Sequence, residues 1–354
     1  MTTRKIAVIG GGSFGTVIAN IAAENGCDVR FWMRSEELAE QVNTLHENPQ
    51  YLPGYPLHEK VVATNDIVAA ASTSEIIFVA VPSSSFRSVT KKLAPHISSD
   101  AILISTTKGI EAGTFMLMSQ ILKEDVPEAR VGVLSGPNLA REITLKSITG
   151  TVIASEHAEV REIVKAVLSS EYFRVYSNDD MFGVELGGSL KNIYAIIAGL
   201  AAAVGMGHNT NAMLVTRSLT EMARFGRELG ADPMTFLGLA GVGDLVVTCS
   251  SPLSRNYRIG FALGKGMTLE QASQDVGQIA EGINTLKLVK EKADGMGVYM
   301  PLVGGLYEIV YNGKSIKNII ASLMLSEQAL DVEWAAGAKK QLKEPHGAGV
   351  GNGR

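Results

Sequence analysis

The sequence predicts an α/β domain built on a doubly wound, parallel sheet, joined to an all-α domain. Three observations carry this. Short apolar, β-branched runs alternate with helical patterns through the first half, as in a parallel sheet covered on both faces. From Met181 to about Asp331 no strand pattern occurs, only helix signals broken by Gly and Pro. At 354 residues the chain also exceeds what one core usually organises, so two domains are expected. The change of pattern sets the expected limits at residues 1–180 and 181–334. The remainder, 335–354, holds five glycines and no apolar period, and reads as a disordered tail.

Taken in order, Lys5–Gly10 is an apolar run expected as a buried strand, and Thr16–Glu24 has helical spacing. Asp28–Arg34 reads as the second strand and Glu36–His46 as a charged helix. Asn48–Pro56, rich in Pro, Gly and Tyr, reads as a loop, and Val61–Thr64 as a brief third strand. Glu75–Pro82 and Ala101–Ser105 are strong strands, followed by Arg130–Gly136, Thr151–Ser155 and Phe173–Tyr176. The helical half is organised around Glu185–Leu200, which after Asn192 is apolar but for the Tyr194 hydroxyl. The run Ile193–Gly207 is shorter than the ~20 residues of a membrane span, so it reads as a buried helix. Lys191 stands at its polar end. Lysine is rarely buried without a partner, so this one is expected to open onto a polar site.

Composition narrows the function. A net charge of −4 from 32 basic and 36 acidic residues gives no electrostatic case for nucleic acid. Two cysteines, Cys27 and Cys249, make no disulfide framework and suit a reducing compartment. The six histidines show no zinc-type spacing, so no metal site is expected. Arg4 and Lys5 precede an apolar run that glycines interrupt at once, unlike a signal peptide. The expected location is the cytoplasm.

Gly10-Gly11-Gly12-Ser13-Phe14-Gly15 fits G-x-G-x-x-G between a strand and a helix. There Gly10 turns sharply, Gly12 lets backbone approach a pyrophosphate and Gly15 permits close helix–strand packing. The helix N-terminus adds N–H groups for the anion. A Rossmann-like dinucleotide site is therefore expected. The end of the second strand reads Trp32-Met33-Arg34-Ser35, with no acid before Glu36. An acid there holds the ribose 2′-hydroxyl of NAD, whereas an arginine accommodates the 2′-phosphate of NADP. NADP is favoured over NAD. The glycines Gly187 and Gly188 are expected to let the Lys191 end of its helix approach this cofactor domain.

Polar residues gather in three further places: Ser105-Thr-Thr-Lys108-Gly109, Leu134-Ser-Gly136-Pro-Asn138, and Gly238–Asp244 leading to Thr248-Cys-Ser-Ser-Pro-Leu-Ser254-Arg255-Asn256. Each alone is an ordinary capped turn. Together they offer Lys108, Lys191, Arg255 and Asn256 with one acid, Asp244, a set suited to a small anion, and phosphate matches the arginine fork.

These motifs, with Glu185–Asn192 (ELGGSLKN) and Gly277–Gly282 (GQIAEG), resemble the bacterial-type NAD(P)-dependent sn-glycerol-3-phosphate dehydrogenases from about Lys5 to Leu330. The resemblance implies that Ser13, Phe14, Arg34, Lys108, Ala140, Arg255, Ile279 and Glu281 hold the cofactor. It further implies that Lys108, Gly136, Asn138, Asp244, Ser254, Arg255 and Asn256 line the pocket for dihydroxyacetone phosphate or sn-glycerol 3-phosphate, with Lys191 as proton acceptor. A small hydroxyl residue is usual in the family where this chain has Asn138. A homodimer and a role in phospholipid synthesis are likewise implied. The alternatives are a related two-domain reductase of a hydroxy or keto acid, and a non-catalytic NADP-binding sensor.

Overall fold

A computed structural model describes residues 3–276 and 281–325. Ile279 and the tail 335–354, both assigned from sequence, lie outside the described residues. Ten strands occur before residue 179: β1 (Lys5–Ile9), β2 (Asp28–Trp32), β3 (Glu47–Asn48), β4 (Leu52–Pro56), β5 (Val61–Thr64), β6 (Ile76–Val79), β7 (Ile102–Ser105), β8 (Arg130–Ser135), β9 (Thr149–Ala154) and β10 (Phe173–Asn178). Eight form one sheet in the order β10-β9-β8-β7-β6-β1-β2-β5. From β1 the chain winds outward through β2 to β5, then returns to build β6, β7 and β8 on the other side. The β1/β6 junction is thus the topological switch point, where open α/β sheets bind ligands at the strands' carboxyl ends. The strands β1, β6 and β7 are almost continuously buried, which explains their unbroken apolar runs.

Two features differ from the sequence expectation. The sheet is not wholly parallel: β9 pairs antiparallel to β8, and β10 follows β9. Between β8 and β9 only a five-residue helix, Ala140–Thr144, intervenes, and so short a connection returns the chain as a reversal, since parallel crossovers usually carry a longer helix. The stretch read as a loop contains the β3–β4 hairpin. Its prolines, Pro53 and Pro56, hide it in sequence, because proline is tolerated only at edges or bulges of sheets.

Strand gives way to helix between Asn178 and Met181. Among the described residues after that point there is no strand. The central element is the helix Met181–Ala203, whose cap is Asp180 accepting from the Gly183 N–H. By length and hydropathy it could cross a membrane, longer than the apolar run had indicated, but 89% of its most apolar window is buried inside the protein. Its first turn, Met181 and Val184, packs into the core on one face of the sheet. Leu186, Leu190, Ile193 and Tyr194 belong instead to the core of the helical half. Further along, a Cβ on Gly199 would lie 2.0 Å from the Tyr257 carbonyl oxygen, and one on Gly260 would lie 1.9 Å from that of Ile196. The central helix and the helix Arg255–Gly264 therefore cross in backbone contact, which only these small residues permit.

Candidate active site

The carboxyl ends of β1, β2, β6, β7 and β8, all mutually parallel, point to one edge of the sheet. At the end of β1 the glycine turn meets the backbone after β6: a Cβ on Gly10 (φ +129°) would stand 2.4 Å from the Ala80 oxygen, and one on Gly15 would stand 2.1 Å from the Gly10 oxygen. A Cβ on Gly12 would meet nothing within 4 Å. The helix Ser13–Glu24 starts there with no side-chain cap. Open backbone N–H groups at an uncovered helix N-terminus fit a dinucleotide pyrophosphate. Phe14 and Ala140 lie half-buried against the adjoining core. Arg34 is exposed just beyond β2, while Ser35, next to it, caps the following helix by accepting from the Leu38 N–H.

From the end of β7, Lys108 reaches across to the helical half. Its ammonium donates to the Gly136 carbonyl at 3.0 Å and to Oδ2 of Asp244. Lys191, in the central helix, donates to the other oxygen, Oδ1 of Asp244, at 2.6 Å and to Thr248 Oγ1 at 2.7 Å. The Thr248 hydroxyl in turn donates to the Asp244 carbonyl at 2.6 Å. Asp244 is thus a buried carboxylate shared by two ammonium groups, leaving a net positive charge. Lys191 is only 7% exposed, and its third ammonium hydrogen has no partner recorded among the described residues. Burial pulls the pKa of Lys108 down to about 8, against the Asp244 charge that supports the ammonium and with the neighbouring Lys191 adding to the fall.

Asp244 opens the helix Asp244–Ser250 directly after the wide π turn Leu239–Gly243. That turn packs on the central helix, where a Cβ at Gly187 would sit 2.9 Å from the Ala240 oxygen. A Cβ at Gly188 would instead fall 2.6 Å from Ser135 Oγ and 3.5 Å from the Lys108 side chain. Of the two glycines expected to meet the cofactor domain, Gly188 does so and Gly187 faces the helical half.

The next polar layer ties the candidate substrate residues into the helical frame. Asn256 Nδ2 donates to Asn192 Oδ1 and its Oδ1 accepts from the Gly282 N–H, both at 3.0 Å. The Ser254 hydroxyl caps the helix Arg255–Gly264 by accepting from the Tyr257 N–H. Arg255 begins that helix as an exposed side chain. Glu281, beside Gly282, accepts from the N–H and hydroxyl of Ser83 at 3.2 and 2.6 Å, which ties the helical half to the start of the helix Ser83–Leu93 that follows β6. Asn138 donates to Thr151 Oγ1 at 2.8 Å, and its Oδ1, like Ser135 Oγ, is buried with no protein partner recorded.

Sequence reasoning missed Thr248, Asn192 and Ser83. Thr248 and Asn192 stand inside quoted motifs, and their signal was proximity to Asp244 and Lys191, four and one residues away. Ser83 carried no signal.

Two family models match the chain. The N-terminal model of NAD-dependent glycerol-3-phosphate dehydrogenase covers residues 5–161, and its C-terminal counterpart covers 180–321. The chain belongs to the NAD-dependent glycerol-3-phosphate dehydrogenase family. Within that family it is 58% identical to a glycerol-3-phosphate dehydrogenase [NAD(P)+] of Saccharophagus degradans over 94% of this chain and 93% of the relative. It is 55% identical to one from Teredinibacter turnerae over 95% and 98%. The crystal structure of the glycerol-3-phosphate dehydrogenase of Coxiella burnetii superposes with a TM-score of 0.87 at 34% identity, covering 92% of this chain and 99% of that one. A ketopantoate reductase from Ralstonia eutropha shares the fold alone, with a TM-score of 0.55 at 15% identity.

Proposed function

We propose that this chain catalyses the reversible, NAD(P)H-dependent reduction of dihydroxyacetone phosphate to sn-glycerol 3-phosphate, with Lys191 as the proton-transferring residue. The observation that carries it is the pair of lysines sharing Asp244 at the edge of the sheet that also bears the open glycine turn. The bound nicotinamide cofactor supplies the hydride. As the ketone is reduced, charge grows on its oxygen, and the Lys191 ammonium stabilises that charge more in the transition state than in the ground state. The same group gives its proton to the oxygen, so it is the general acid in reduction and the base in oxidation. Asp244 and Thr248 hold the Lys191 Nζ in place, and Lys108 keeps the site cationic.

The phosphate is held away from the reacting carbon by Arg255 and by first-turn backbone N–H groups of its helix, which have no intrahelical acceptor. This assigns Ser254 and Asn256 backbone and scaffolding roles, in keeping with their engaged side chains. Gly136 and Asn138 border the substrate. Ser13, Phe14, Arg34, Ala140 and Glu281 border the cofactor, with Arg34 selecting NADPH. The enzyme works in the cytoplasm as a homodimer, its product feeding glycerophospholipid synthesis; two buried thiols suit that compartment.

Initial rates of NADPH and NADH oxidation with dihydroxyacetone phosphate, unphosphorylated dihydroxyacetone and a branched keto acid test this directly. Turnover should require the phosphate. Equal rates on the unphosphorylated ketone, or activity on the keto acid alone, would refute it.

A further inference from the structure

The β3–β4 hairpin carries a side chain that is wholly committed to the glycine turn. Asn48 is 0% exposed. Its Nδ2 donates to the Gly11 carbonyl at 2.9 Å and to Thr16 Oγ1 at 2.8 Å, while Oδ1 accepts from the Tyr51 N–H at 3.3 Å. Thr16 passes its own proton to the Gly12 carbonyl at 2.9 Å, and Ser13 Oγ donates to the Tyr51 carbonyl at 3.2 Å. Both amide hydrogens and the amide oxygen of Asn48 are therefore used. Two successive carbonyls of the turn are pinned: that of Gly11 by Asn48, and that of Gly12 by the backbone N–H of Thr16 together with the hydroxyl that Asn48 holds.

A trans peptide is planar with its C=O and N–H on opposite sides. Pinning the Gly11 carbonyl toward the hairpin turns the N–H of Gly12 the other way, and pinning that of Gly12 does the same for the N–H of Ser13. Space for a ligand exists beside the turn, since a Cβ on Gly12 would meet nothing within 4 Å. We propose that Asn48 is a positioning residue for the cofactor: from a hairpin 37 residues downstream of the turn, it orients the backbone amides that receive the pyrophosphate. Preorganised donors bind better than donors that must be ordered on binding, so the effect appears in cofactor affinity rather than in the chemical step.

The inference rests on the reading of the glycine turn as the dinucleotide site, and the test separates the two. Cofactor fluorescence titration with NADPH and NADH gives Kd for the wild type, Asn48→Ala, Thr16→Val and the double variant. Tyr55→Phe serves as control: it removes the hydroxyl that accepts from Asn20 Nδ2 at 2.8 Å and so loosens the same hairpin without touching the turn. Expected are a rise in Kd of about tenfold or more for Asn48→Ala and a smaller rise for Thr16→Val. The double variant should be little worse than Asn48→Ala, because both changes act on one relay. The KM for dihydroxyacetone phosphate and kcat at saturating cofactor should stay within about twofold. If Asn48→Ala does not fold, Thr16→Val against Tyr55→Phe decides alone. Unchanged Kd in Asn48→Ala and Thr16→Val, or an equal rise in Tyr55→Phe, overturns the proposal. A wild type that binds neither nucleotide overturns the dinucleotide reading instead.

Discussion

The glycine turn and the Asp244 cluster lie at the same edge of the sheet but are built from opposite materials. The turn works through backbone: its donors are peptide N–H groups, its side chains are mostly absent, and neutral amide and hydroxyl groups hold it. The cluster works through charge: two ammonium groups converge on one carboxylate that is 1% exposed. Backbone donors neither titrate nor vary with side-chain identity, so the turn can bind but cannot exchange protons. Charged side chains in a buried pocket are costly unless paired, yet they alone can move a proton at neutral pH. Binding and chemistry are thereby divided between the two regions.

Substitutions should break the two regions in different currencies. The largest effect is expected for Lys191→Met, which removes both the proton and the charge. The kcat should fall by about 10³-fold or more with cofactor Kd nearly unchanged, and near-normal turnover would remove Lys191 from the chemistry. Next comes Arg255→Ala, for which the KM for dihydroxyacetone phosphate should rise by roughly 10- to 100-fold, as expected for lost charge-assisted hydrogen bonds. An unchanged KM would place the phosphate elsewhere.

Lys108 sharpens the contrast through pH. With its pKa drawn down to about 8 by burial, the free enzyme carries the second cation below that pH and loses it above. KM for the phosphorylated ketone should climb between about pH 7 and 9, and Lys108→Arg, which stays charged, should flatten the climb. A wild-type profile flat across that range would assign the second cation no part in binding.

The smallest effect concerns the frame alone. Glu221 is buried and accepts from the N–H groups of Leu302 and Val303 and from the Tyr194 hydroxyl. Burial pushes its pKa up to about 7. The folded state then binds a proton that the unfolded chain releases above the ordinary glutamate value of 4.5. The stability tied to it is complete below that value and is lost as pH rises toward 7. Replacing Glu221 with Gln should shrink the fall in Tm across this window; an identical slope would exclude Glu221 as its source.

Much of this was legible locally. The glycine turn reads from sequence because its three glycines recur at fixed spacing between one strand and one helix, although the close approach that Gly10 permits is to Ala80, far along the chain. Lys191 reads because a lysine at the mouth of an apolar run is anomalous wherever the run folds. The Asn48 relay does not read, since its partner lies 37 residues away and asparagine in a Pro-rich stretch is unremarkable. Asn256 was legible as a polar residue of the site but not as a bridge between Asn192 and Gly282, which depends on how two helices cross. The reversal of β9 also escaped, because a strand's pattern records its burial and not its direction.

The central helix places Glu185 on the N–H of Ser119 at the start of the helix Met118–Asp125, Gly188 against Ser135, Lys191 on Asp244, Asn192 on Asn256 and Gly199 against Tyr257. Five neighbours are addressed by one rigid rod. At 3.6 residues per turn, a single inserted or deleted residue rotates everything beyond it by about 100°. The spacing of the segment is therefore as constrained as its glycines and its lysine. A gap between Glu185 and Gly199 would turn some of these five contacts off their partners and uncouple the proton donor from the frame that aims it.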